Sequence, residues 1–161
     1  MIYQESSRKS EAVSVMNVPA EVSVVGAMAR VGGIFTRIAA DLRKLPGVRE
    51  VSHPCWMAEL NGVHAEDSFD GGHGDGFQIE WYAEAEFSDG RAISFNQILT
   101  WCDGEWTVQA AIHSQDYDGQ HELLVLPDRC AIGPEDLADE LTSQSRLLAD
   151  SQPEGVRLFF A

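Results

Sequence analysis

Residues 77–113 read FQIEWYAEAEFSDGRAISFNQILTWCDGEWTVQAAIH. Phe77, Ile79, Trp81, Ala83, Ala85 and Phe87 alternate with Gln78, Glu80, Tyr82, Glu84 and Glu86. Side chains on a strand point to opposite faces in turn, so this is a strand with one face in the core. Ser88-Asp89-Gly90 then reverses the chain. A two-residue Asp-Gly turn would set Phe87 opposite Ala92 and Glu86 opposite Ile93, mixing apolar and acidic side chains on one face. A three-residue loop with Gly90 in the left-handed conformation instead pairs Phe87 with Arg91, Ala85 with Ile93, Ala83 with Phe95, Ile79 with Leu99 and Phe77 with Trp101. A one-residue slip moves a whole apolar set into water, so the second register is expected. Asp103-Gly104 is a two-residue hairpin signal, and it pairs Trp101 with Trp106, Leu99 with Val108, Gln97 with Ala110 and Phe95 with Ile112. Two independent turns thus agree on one core face, which predicts a three-stranded antiparallel meander.

Upstream, Val24, Met28, Val31, Phe35, Ile38, Leu42 and Leu45 recur at alternating spacings of four and three. That is one apolar stripe along a helix, stopped by Pro46-Gly47. Gly32-Gly33 interrupts it at about 1 kcal/mol per glycine relative to alanine, which suggests a second backbone approaching there. Val48 to about Leu60 reads as a further strand, pushed towards a sheet edge or a bulge by Pro54. Downstream of the meander, Glu122–Leu126 is another strand ending at Pro127. Gly133-Pro134-Glu135-Asp136 then opens a helix with the inner stripe Leu137, Leu141, Gln144 and Leu148. Pro153-Glu154-Gly155 reads as its end, leaving residues 153–161 as an apolar tail that must dock on the sheet or on a second copy. Residues 1–19 read as a flexible or edge-pairing arm. The expected fold is α+β over one domain, residues 1–161: an antiparallel meander sheet of four to five strands, with an N-terminal and a C-terminal helix packed on one face. This order of elements is similar to that of small bacterial immunity and secretion-chaperone proteins, without a shared residue motif.

The same register fixes the opposite face. Its rows are Glu80–Ile98–Gln109, Tyr82–Asn96–Ala111, Glu84–Ser94–His113 and Glu86–Ala92–Gln115. Opposed side chains lie about 5 Å apart, so Tyr82, Glu84, Ser94, Asn96 and His113 form a candidate ligand- or partner-binding constellation. The alternative is an ordinary solvated sheet face. Serine sits between the acid and the histidine, whereas a nucleophilic relay needs the histidine in the middle.

Residues 61–76 form a long Gly- and Asp-rich loop with His64, Asp67, Asp70, His73 and Asp75. Imidazole and carboxylate donors suit zinc, nickel or manganese, so these five are candidate ligands of a divalent metal, with no cofactor otherwise expected. Their spacing matches no established metal signature, and the bland reading is a mobile acidic loop. The glycines do not make a phosphate cradle, because no Lys or Thr follows them. Cys55, Cys102 and Cys130 are odd in number and lack CxxC spacing, which points to a reducing compartment and inert thiols, with Cys102 exposed. Trp56, Trp81, Trp101 and Trp106 read as core residues rather than base-stacking platforms.

The chain has 161 residues and a formal net charge of −15. Residues 1–50 hold seven basic and five acidic side chains, and residues 51–161 hold four and 21. The acidic body argues against nucleic acid and anionic membranes as partners and favours a basic protein. Arg8-Lys9 and the apolar stretch to Ala29 resemble a leader, but Asn17, Pro19 and Glu21 break its centre, so no cleavage is expected. No stretch reaches 18 uncharged apolar residues, so no membrane span is expected. The leading expectation is a non-catalytic, acidic, cytoplasmic protein-binding module of the adaptor, chaperone or inhibitor/immunity kind, working as a homodimer. One alternative is a metal-dependent or acid–base enzyme using the His64–Asp75 loop and His113. The other is a small-ligand binding domain with its pocket between helix and sheet.

Overall fold

The computed structural model describes residues 20–60 and 76–161, so the N-terminal arm and the candidate metal residues His64, Asp67, Asp70, His73 and Asp75 lie outside the described residues. Helix α1 (Ala20–Leu42) is followed by strands β1 (Val48–Ser52), β2 (Cys55–Leu60), β3 (Gly76–Phe87), β4 (Ala92–Cys102), β5 (Glu105–Asp116), β6 (Gly119–Val125) and β7 (Arg129–Ile132). Helices α2 (Pro134–Asp150) and α3 (Gln152–Phe160) close the chain. All seven strands join one antiparallel sheet, and the class is α+β.

The meander has the expected register throughout. Phe87 N–H donates to the Arg91 carbonyl at 2.8 Å, and Gly90 takes φ +88° in the three-residue loop. Ala85 faces Ile93, Ala83 faces Phe95, Trp101 faces Trp106 and Phe95 faces Ile112. The second turn places both Asp103 and Gly104 at positive φ, 52° and 80°, as a tight hairpin twisted with its strands requires.

The strand order is β1-β3-β4-β5-β6, with β2 also on β3 and β7 also on β5. The sheet is therefore five positions wide but has seven strands, because each edge position is shared by two short ones. On one edge the break is His53-Pro54, where the Pro54 carbonyl still accepts from Tyr82 N–H at 3.1 Å, and the expected single strand from Val48 to Leu60 becomes β1 and β2. On the other edge Pro127 separates β6 from β7, a four-residue strand too short to show a sequence period.

One core cluster joins Val31, Phe35, Ile38 and Leu42 of α1, Leu137, Leu141 and Leu148 of α2, and Ile79, Trp81, Phe95, Leu99, Val108 and Ile112 of the sheet. Two buried amides tie α2 to the same face: Gln97 Nε2 donates to the Leu141 carbonyl at 3.0 Å, and Gln144 Nε2 to the Val108 carbonyl at 3.3 Å. By length and composition Ser23–Leu42 is apolar enough to cross a bilayer, yet its buried side chains belong to this core. Among the described residues no second backbone approaches Gly32 or Gly33: a Cβ at either would have no neighbour within 4 Å, so the close contact expected there is not found among them.

The tail also differs from expectation. Pro153 stands at the start of α3 rather than ending the chain's helical structure, because proline is tolerated in a first helical turn. Gly155 packs on Ile112, and Phe159 stacks on Phe87 at 4.9 Å between ring centroids. The Arg91 guanidinium lies over the Phe159 ring at 4.6 Å from its centroid and donates to the Phe159 carbonyl at 3.3 Å. The tail thus docks on its own sheet. Among the tryptophans, Trp81 is buried and Trp101 and Trp106 are half-buried, but Trp56 is 53% exposed and is not a core residue. It sits opposite Glu80, which places it on the acidic face.

Candidate functional site

The face away from the helices carries Gln78, Glu80, Tyr82, Glu84 and Glu86 of β3, each half-buried between the buried residues of the core face. Strands β4 and β5 add Asn96, Ile98, Gln109, Ala111 and His113 to it, with the rows in the expected order. All five candidate residues, Tyr82, Glu84, Ser94, Asn96 and His113, therefore share this face. Glu84 lies opposite Ser94, Ser94 opposite His113, and Tyr82 opposite Asn96.

They divide into two groups. In the first, Tyr82 Oη donates a short hydrogen bond to Glu84 Oε2. Burial, this bond and the Glu84 charge all push the Tyr82 pKa far up, against a hydrogen bond from Ser94. The phenol is therefore held as a donor and is unfit as a base. Trp56 packs beside it at 5.6 Å between ring centroids. In the second group, Asn96 and His113 line a groove of about 250 Å³ together with Ile98, Gln109, Glu122 and Asp128. Gln109 Nε2 donates to Asp128 Oδ2 at 3.1 Å, which fixes one wall. Asn96 Oδ1 and His113 Nδ1 are buried atoms without a hydrogen-bond partner among the described residues, and such atoms carry a desolvation cost that a bound group can relieve.

Glu80 links the two groups. Burial raises its pKa, while a hydrogen bond from Asn96 and the charge of His113 lower it. The row Glu80–Ile98–Gln109 was legible in the sequence, although Glu80 did not stand out as a site residue. Trp56 needed the register of β2 on β3. Glu122 reaches His113 through a register shift between Ile112 and His113, and no pattern in residues 119–125 signals it.

The acid–serine–histidine row does not make a relay. His113 pairs across the sheet with Ser94 on one side and Glu122 on the other, and Glu84 is engaged by Tyr82. Among the described residues no group of three His, Cys, Asp or Glu could hold a metal ion. Cys55, Cys102 and Cys130 form no disulfide. Burial pushes the Cys55 thiol up, away from the reactive thiolate, and Cys102 is half-buried rather than exposed. The arrangement offers hydrogen-bond acceptors, carboxylates and an aromatic pair on one sheet face. No family model, no curated protein and no solved structure matches the chain.

Proposed function

We propose that the chain is a non-catalytic, acidic binding module whose open sheet face receives a basic segment of a partner protein in the cytoplasm. The observation that carries this reading is the sign of the uncovered face. Glu80, Glu84, Glu86 and Glu122 lie on it, and the Arg49 guanidinium beside it is already bonded to Glu86 at 2.8 Å. Carboxylates gathered on a low-dielectric sheet surface attract and orient a cationic partner, with a strong dependence on salt. Tyr82 and Trp56 supply the amphipathic aromatic surface on which Lys and Arg stems and guanidinium planes pack. Cysteines without disulfides suit a reducing compartment.

The test is affinity capture from the source cells, using wild type and Glu84→Lys/Glu122→Lys as baits, with circular dichroism to confirm that both fold. Proteins held through basic segments should be retained by wild type, lost by the variant and released by about 0.5 M salt, where the screening length falls to a few ångströms. Chemical cross-links from the retained proteins should fall on the Glu84–Glu122 face. The same proteins held equally by both baits would reject this reading.

A further inference from the structure

A second groove lies on the opposite side of the molecule, between α1 and the junction of α2 with α3. It encloses about 620 Å³, within the range of small-molecule sites. Its charged walls are Arg30 and Arg37 of α1 and Arg146 of α2, with Asp41 and Asp150 at the margins. Arg30 and Arg37 are two helical turns apart, and Gly33 lies between them on the same helix face.

The state of these arginines sets them apart in an acidic chain. Nine Lys and Arg residues are described, and five of them, Lys44, Arg49, Arg91, Arg129 and Arg157, hold a carboxylate at 2.5–3.5 Å. Among the described residues Arg30, Arg37, Arg43 and Arg146 hold none, and three of these four line this one groove. Asp41 is already engaged by Lys44 at 3.5 Å, which leaves Asp150, and Asp139 in an adjoining cavity shared with Arg30 and Arg146, against three guanidiniums. Gly33 contributes no side chain to the floor, and a Cβ there would meet nothing within 4 Å. Ile34, Ile38 and Ala149 give that floor an apolar patch. The mid-helix glycine costs helix stability, and among the described residues no close backbone contact requires it.

We propose that this groove binds a small phosphorylated ligand of nucleotide size, with phosphate oxygens held by Arg30, Arg37 and Arg146 and a flat ring laid over Gly33. Guanidinium forks match phosphate oxygens in geometry and charge, and an apolar floor beside them accepts a ring. This site is independent of the acidic sheet face, so either reading stands if the other fails.

The probes are ATP, inorganic pyrophosphate and adenosine, titrated without magnesium at low salt and followed by amide chemical shifts. ATP should bind saturably and more tightly than pyrophosphate, with shifts clustered on α1 and α2, and adenosine should bind weakest. Arg37→Gln/Arg146→Gln should weaken ATP by at least about tenfold, because charge-assisted bonds are lost from both walls. Arg43→Gln removes an unpaired arginine outside the groove and should leave ATP binding as it was. Gly33→Leu fills the floor at an exposed helix position without a clash and should abolish the advantage of ATP over pyrophosphate while the melting temperature is kept. No saturable ATP binding up to about 1 mM, or binding unchanged in the double variant or in Gly33→Leu, would overturn the proposal.

Discussion

Glu80 is the residue at which the acidic face opposes the fold. Its carboxylate is half-buried, and burial raises its pKa despite Asn96 and His113. A folded pKa above the unfolded one means that stability is full at acid pH and is lost as pH rises through the raised value. Glu80→Gln is therefore expected to raise the melting temperature at about pH 7.5, and the gain should vanish near about pH 3, where the carboxyl is protonated in both states. Calorimetry at the two pH values decides it, and an equal gain at both would rule out the electrostatic cause. Gly90 is a residue of a different kind. Its φ of +88° disfavours any side chain, and a Cβ there would stand 3.1 Å from Tyr117 Oη. Gly90→Ala should cost about 1–2 kcal/mol in urea unfolding, the ordinary penalty of the left-handed region. That the five candidate residues share a face could be read from the sequence because two turns fixed the register, and register fixes the face. Glu122 and Asp128 could not, since they reach the groove through a bulge and the break between β6 and β7 at Pro127.

Among the elements, α1 and the three central strands carry long periodic patterns, and these were legible. The edge strands and α3 were not. Pro54 divides what the sequence presents as one strand, β7 has four residues, and Pro153 reads as a stop although a helix can begin with it. The docking of α3 rests on Phe159, which is buried against Phe87, while Phe160 stays 48% exposed. Removing residues 153–161 should lower stability by about 1.5–3 kcal/mol, the value of burying one large apolar side chain, and should uncover Phe87. Chemical denaturation measures the first effect, and increased binding of a hydrophobic dye the second. A truncated chain as stable as the full one would mean that α3 is not part of the fold. Gly155→Ala tests the same contact without truncation. Its Cβ would lie 2.7 Å from Cδ1 and 3.1 Å from Cγ2 of the fully buried Ile112, so a net loss of about 1–3 kcal/mol is expected although alanine favours helix.

At the scale of the whole molecule, one cluster runs from α1 through the sheet to α2, with Phe95 fully buried inside it. Phe95→Ala should cost about 3–5 kcal/mol. Because helices and sheet share that core, near- and far-ultraviolet dichroism should lose their signals at the same denaturant concentration, and separate transitions would argue against a single cooperative unit. The split margins of the sheet have a consequence for how the protein behaves in a crowded solution. A free sheet edge is a template on which other chains can polymerise, and here each edge is interrupted near its middle by a proline, Pro54 or Pro127, which has no N–H to offer. The bulges at Val48/Glu50 and Ile112/His113 and the left-handed Ala131, φ 53°, bend what remains. Among the described residues an incoming strand finds at most the seven residues of β6 before the ladder fails. The protein can thus leave a broad sheet face open to solvent while its margins resist growth into fibres.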